Sequence, residues 1–260
     1  MRLILPFIIV CLALPWAGRF LPAAVQLAWV DWFVPLILLG IGWPLLGRAR
    51  ANGTAEKFRF KNLLWIPVVI LIWLVMNLAL PVGYRIGWSY FTYGSVQMSP
   101  EFRHEFFIKL LPLGLASIIS FELIFRKWLW DVLAAGAHPW RAWFITSLVA
   151  GSVRLPYLSL AYGDETIYLT ATAISLFAAQ FALGSLRLAS GAVWPSIALH
   201  LLMFFTGTIL MADILDAHMT LLNYSSSSTP FYVSMAVSHV LAALLVPLVM
   251  LAGRIFKAPR

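Results

Sequence analysis

Apolar runs of about twenty residues, parted by short polar breaks, follow one another along almost the whole chain. At ~1.5 Å of rise per residue, a helix of that length crosses the ~30 Å hydrocarbon core of a bilayer. The pattern predicts about eight spans, near residues 1–17, 24–46, 63–82, 106–125, 142–162, 167–186, 191–212 and 231–252. The first run, with Arg2 before it, has the outline of a signal peptide, but further spans follow directly, so it is read as a span or anchor. Residues 128–141 are too short and too interrupted, by Asp131, Gly136 and Pro139, to cross. They are expected to form an interfacial or partly re-entrant helix. No repeat of soluble type is present, and low complexity is confined to the run from Ser225 to Ser228.

The polar breaks set the topology. Residues 47–62 carry Arg48, Arg50, Lys57, Arg59 and Lys61 against Glu56 alone, which places that loop in the cytoplasm. Arg126 and Lys127, Arg187, and the tail with Arg254, Lys257 and Arg260 then fall on the same side, so both termini are expected to be cytoplasmic. Residues 83–105, and the loop with Asp213 and Asp216, fall outside. With 62% hydrophobic and 11% charged residues, there is too little charge to cover a water-soluble surface. The expected fold class is therefore all-α, a polytopic transmembrane helical bundle in a bacterial-type cytoplasmic (inner) membrane. Its parts are N-terminal spans in 1–105, a core in 106–212, and an outer loop, last span and basic tail in 213–260. The net charge of +8 reads as an orientation signal. No Lys/Arg run interleaved with aromatics suggests nucleic acid as a partner. The lone Cys11 excludes an intrachain disulfide and a cysteine-rich metal site.

Four ionisable residues within apolar runs are the candidate chemistry: Glu122, Arg126, Arg154 and His200. Glu122 and Arg126 stand at i, i+4, on one helix face. An ionisable group in a span is costly to bury, so it should face a protein interior and have a partner. From the predicted boundaries, Arg154 and His200 lie roughly 18 Å and 15 Å into their spans, and Glu122 about 6 Å from the cytoplasmic end of its own. A shared polar chamber open to the cytoplasm follows. Ser147 and Gly151 form a small-xxx-small face that lets helices approach, and Pro156 and Pro195 free backbone carbonyls nearby. The plainer reading is a structural ion pair of Glu122 with Arg154 or Arg126. His239 reads as an interhelical hydrogen bond, and His104, His138 and His218 lie near predicted interfaces. A catalytic zinc takes three protein ligands, and only Glu122 and His200 offer themselves. No cofactor is predicted, and a divalent metal is weakly supported. A phosphate-cradling loop, a Gly-x-Ser-x-Gly elbow and an intramembrane Ser–Lys pair are all lacking.

These segments resemble a known family. Residues 110–205 are similar to the CAAX protease and bacteriocin-processing (CPBP) family of intramembrane endopeptidases. That family has a Glu-Glu-x-x-x-Arg motif, a Phe-x-x-x-His motif, and a later His in a Trp-Pro-x-x-x-x-His context followed by a polar residue. Phe121-Glu122-Leu123-Ile124-Phe125-Arg126 falls on the first, Ala150 to Arg154 on the second, and Trp194-Pro195 to His200 on the third. Glu122, Arg126 and His200 are retained. Phe121 replaces the first Glu, Arg154 the second-motif His, Ala150 its Phe, and Phe204 the late polar residue.

The resemblance implies a CPBP-like core and a glutamate-activated water attacking a peptide bond within the membrane. Glu122 would be the base, His200 and Arg154 electrostatic helpers, and Arg126 an organiser. The partner would be a membrane-embedded peptide or protein segment. Arg154 puts a permanent cation where the family has an imidazole, which makes a neighbouring carboxylate a poorer base or else supplies an oxyanion stabiliser. Three readings follow: an endopeptidase homologue with catalysis weakened or lost, a non-catalytic scaffold holding a partner in the former cavity, or a transporter or assembly subunit. The first requires a water-accessible Glu122, the second a Glu122 closed by a direct bond to Arg154 or Arg126, and the third a continuous polar path.

Overall fold

The computed structural model describes residues 4–51 with gaps at 23–24, 27–28 and 30–32, then 64–75, 108, 111–136, 138–156, 166–215, and a few positions between 236 and 244. All regular structure among the described residues is helical. The chain opens with α1 (Ile4–Ala13), which tightens into a 3-10 helix at Leu14–Phe20 where Pro15 enters. Next come α2 (Val34–Ala51) and the short apolar α3 (Trp65–Val75). The core consists of α4 (Leu111–Glu122), a π-helical stretch at Leu123–Leu129, α5 (Trp130–Gly136), α6 (Pro139–Val153), α7 (Thr166–Ser190) and α8 (Trp194–Leu215).

Two boundaries that bear on the site differ from those the hydropathy pattern predicts, besides shifts elsewhere such as α2 running to Ala51 rather than 46. The helix carrying Glu122 does not end near Phe125, because helical backbone continues from α4 through the π-helical stretch into α5. Residues 128–136 are thus no separate interfacial helix. Trp128, Leu129 and Trp130 are buried, and the first two belong to one apolar cluster with Phe7 and Cys11 of α1, Leu38 of α2, and Val149 and Val153 of α6. Polar residues that look like a terminus are accommodated because they have partners: Arg126 is fully buried, and Asp131 meets Lys127 at 2.5 Å and Arg187 at 3.1 Å. The break comes instead at Pro139, which forces an extended conformation on His138 before it. His138 then caps α6, its ring accepting from the Trp140 N–H at 3.4 Å.

The second difference lies at the other end of α6. The pattern carries this helix to residue 162 with Arg154 inside it, whereas the helix ends at Val153 and Arg154 is its cap. The Arg154 N–H turns back to the Gly151 carbonyl at 3.2 Å. Helical backbone resumes at Leu155 and Pro156, and residues 157–162, to which the pattern carries the span, lie outside the described residues.

Close helix approach is bought with missing side chains. A Cβ at Gly151 would lie 2.5 Å from the Phe177 ring, one at Gly184 2.5 Å from Ser147 Oγ, and one at Gly114 2.3 Å from the Phe204 ring. Between α7 and α8 the chain turns at Gly191, whose φ of +70° suits glycine. Ser190 ties the turn by donating to the Leu186 carbonyl at 2.6 Å and accepting from the Ala192 N–H at 3.1 Å.

One described helix, Leu169–Ser190, is long and apolar enough to cross a membrane by length and composition, and 61% of that apolar window is buried within the protein. Shorter apolar helices occupy Ile4–Phe20, Val34–Pro44, Trp65–Val75 and Trp194–Phe204. Large apolar side chains such as Leu64, Leu71 and Trp43 face outward, as they do where lipid is the solvent. Of the loop predicted at 47–62, residues 47–51 continue α2 instead; its remainder, the predicted loop at 83–105, most of span eight, and His104, His218 and His239 lie outside the described residues.

Candidate active site: a buried glutamate and histidine

Burying a carboxylate is tolerable only when its oxygens are met by donors or cations. Glu122, the last residue of α4, is fully buried, and His200, in the second turn of α8, is 6% exposed. Although 78 residues apart in sequence, His200 Nδ1 and Glu122 Oε1 lie 2.7 Å from each other. With Glu122 ionised, the imidazole proton sits on Nδ1, which leaves Nε2 of a neutral ring as an acceptor.

The other oxygen is different. Glu122 Oε2 is buried with no hydrogen-bond partner among the described residues, and Arg126 Nε stands 3.9 Å from it. That is an ion-pair separation and too long for a hydrogen bond. The Arg126 guanidinium is turned toward α7, where Nη2 donates to the Gln180 carbonyl at 2.7 Å and to the Gln180 side-chain Oε1 at 2.8 Å. The same carbonyl accepts from Ser147 Oγ of α6 at 3.2 Å. One backbone oxygen thereby gathers donors from two other helices.

Of the four predicted residues, three come together: Glu122, His200 and Arg126. Arg154 does not join them as an ion-pair partner. Its guanidinium lies over the face of Phe121, 5.0 Å from the ring centroid. Phe121 also meets His200 edge-on, with centroids 6.0 Å apart at 84°. Of the two ion pairs expected for Glu122, the one with Arg126 is present at 3.9 Å, and the one with Arg154 is not formed among the described residues, where Phe121 stands beside the cation at the position of the motif's other carboxylate. Two departures from the motif, Phe121 and Arg154, are thus each other's neighbours. The other two are apolar packing: Ala150 is fully buried in the cluster of Phe125 and Trp128, and Phe204 lies on Gly114, two turns before Glu122.

Gln180 is the residue that the motif comparison does not contain. A signal for it was present, a lone amide side chain inside Ala178-Ala179-Gln180-Phe181-Ala182, to which the same burial argument applies as to Glu122. Arg187 is a second case. Predicted as a span end, it lies within α7, pairs with Asp131, donates to the Gly191 carbonyl and lies 5.9 Å from the centroid of the Trp130 ring. Among the described residues, no three of His, Cys, Asp and Glu gather in a way that could hold a metal ion.

No curated protein and no solved structure matches the chain. Over residues 103–206, which hold Glu122, Arg126, Arg154, Gln180 and His200, it matches the model of the type II CAAX prenyl endopeptidase Rce1-like family, and so carries an Rce1-like domain, consistent with the CPBP family.

Proposed function

We propose that the protein is an intramembrane endopeptidase homologue whose hydrolytic centre has been reduced to Glu122 and His200, and which acts slowly on a membrane-embedded peptide or protein segment. One observation carries the reading: His200 fixes one oxygen of a buried carboxylate at 2.7 Å while the other has no hydrogen-bond partner among the described residues. A general base needs a carboxylate oriented by one contact and free at the other. Glu122 Oε2 takes a proton from water as the water oxygen attacks the scissile carbonyl, and returns it to the leaving amine. Arg126 keeps positive charge close to Oε2 without bonding to it. The second carboxylate and second imidazole of the family motif are absent, and acid–base groups of that kind are worth ~10²–10⁴ in rate each. The membrane setting agrees with the Rce1-like domain and the apolar helix at Leu169–Ser190. The basic residues of 47–62 put both termini in the cytoplasm.

A second reading has its own support. Glu122 is fully buried, where the hydrolase reading calls for access to water, although the direct bond that holds it comes from His200 and not from Arg154 or Arg126; a scaffold needs no opening at Glu122, whereas catalysis needs one that admits water. Quantitative peptidomics of membranes from a null strain separates the two. If wild type generates a cleaved terminus that Glu122→Gln does not, the protein is a hydrolase. If both variants rescue a phenotype with identical peptides, the scaffold reading replaces it.

A further inference from the structure

A guanidinium one helical turn from a buried carboxylate ordinarily closes on it, with N–H···O distances near 2.7–2.9 Å. Arg126 does not. It is fully buried, its Nε stops 3.9 Å from Glu122 Oε2, and Nε and Nη1 have no hydrogen-bond partner among the described residues. Some other interaction must hold the group back, because both charges would gain from contact in a buried, low-dielectric site. What holds it is α7. Gln180 offers Nη2 two acceptors at once, its carbonyl at 2.7 Å and its amide oxygen at 2.8 Å.

Gln180 is itself held. It is 2% exposed, and its carbonyl also accepts from Ser147 Oγ. That hydroxyl has room because Gly184, one turn further along α7, has no side chain. From these contacts we infer that Gln180 is the positioning residue of the site. It draws Arg126 toward α7 and so leaves Glu122 Oε2 open beside a cation that does not bond to it. The catalytic consequence rests on the reading of Glu122 as a base; the geometric role does not.

Gln180→Leu keeps the bulk of the side chain and removes the side-chain acceptor, leaving Nη2 only the carbonyl that it shares with Ser147 Oγ, which is too little to hold the guanidinium against Glu122. The guanidinium then needs to move only about 1 Å to reach a normal charge-assisted distance from Oε2. Gln180→Glu keeps an acceptor oxygen and should hold Arg126 in place.

The test uses the full chain in lipid bicelles, labelled with 15N-arginine and 15N-histidine. In wild type and Gln180→Glu the Arg126 Nη2 protons read as hydrogen-bonded and the Nε proton as free. In Gln180→Leu the Nε resonance shifts downfield on bonding to Glu122, while the His200 signals show the site still assembled. An unmoved Nε resonance in folded Gln180→Leu overturns the inference. So does a downfield Nε in Gln180→Glu, which decides the matter even if the leucine variant does not fold. In the peptidomic assay, a displacement of that size lowers product on the order of a hundredfold in Gln180→Leu, with Gln180→Glu retaining it. Absence of product from wild type counts against the hydrolase, and the Nε resonance still decides the positioning.

Discussion

Gly184→Ala tests the packing that brings α6 against α7. In an exposed helix interior, alanine in place of glycine gains about 1 kcal/mol from backbone propensity. At Gly184 the new Cβ would lie 2.5 Å from Ser147 Oγ, 3.0 Å from Trp143 Cδ1 and 3.3 Å from Trp143 Nε1. Neither neighbour is free to give way. Ser147 Oγ bonds the Gln180 carbonyl, and Trp143 Nε1 bonds Ser185 Oγ at 3.1 Å. Displacing a packed neighbour costs about 1–3 kcal/mol, and losing the Ser147 bond adds about 0.5–1.5 kcal/mol. Set against the propensity gain, the net is a destabilisation of roughly 1–3 kcal/mol. Gly40 of α2 supplies the control, since a Cβ there would meet nothing within 4 Å; Gly40→Ala should stabilise by about 0.5–1 kcal/mol. Both are measured by SDS titration of the purified protein in mixed micelles, followed by far-UV circular dichroism. Ser147→Ala should absorb part of the clash, giving a coupling of about 1 kcal/mol with Gly184→Ala. If Gly184→Ala stabilised the protein as Gly40→Ala does, α6 and α7 would not approach as described, and the Arg126–Gln180–Ser147 arrangement would fall with that approach.

Three further outcomes follow from the site. Replacing His200 by Leu removes the hydrogen bond to buried Glu122 and should cost about 1.5–3 kcal/mol, whereas Glu122→Leu leaves the buried Arg126 cation without its carboxylate and should cost about 3–5 kcal/mol, as the same SDS titration would record. Phe121→Glu with Arg154→His restores two motif residues that lie together, and should raise the yield of any cleaved terminus by about tenfold or more. Phe121→Glu alone should not, because its carboxylate would pair with Arg154, and an equal gain from the single variant would refute this account of their contact. Asp131→Asn removes the anion shared by Lys127 and Arg187 and should lower stability by roughly 1–3 kcal/mol, with a smaller loss when Arg187 is already Gln and only the Lys127 pair remains.

How far the chain could be read follows the same physics. The cost of burying charge points from sequence alone to Glu122, Arg126, Arg154 and His200, and the structure brings all but Arg154 within bonding or ion-pair distance of one another. The argument could not choose among partners. Arg154 was the obvious counter-ion by charge, but Phe121 engages it face-on, and a cation–π contact leaves no trace in residue spacing. Gln180 was passed over because it carries no charge, although a buried amide needs partners almost as much as a buried carboxylate does. Helix ends were least legible. Arg126-Lys127 and Asp131 resemble a terminus in any hydropathy reading, and only tertiary partners, Gln180 and Arg187, let the helix continue through them. A helix apolar on all sides has no polar stripe to reveal which face meets which neighbour.

The π-helical stretch at Leu123–Leu129 makes chain length at this point a functional quantity. A π turn carries extra backbone relative to an α turn, so α4 and α5 share an axis but are out of phase with each other. Relaxing the stretch to α geometry while deleting one residue would restore the phase, whereas relaxing it at its present length would rotate α5 by about 100° relative to α4. No side chain named at the site would change, yet Asp131 would swing away from Arg187, and α5 would lose its hold on the turn leading into α8, the helix that carries His200. The spacing between Glu122 and Asp131 is thus part of the site's specification, as binding as the identity of either residue.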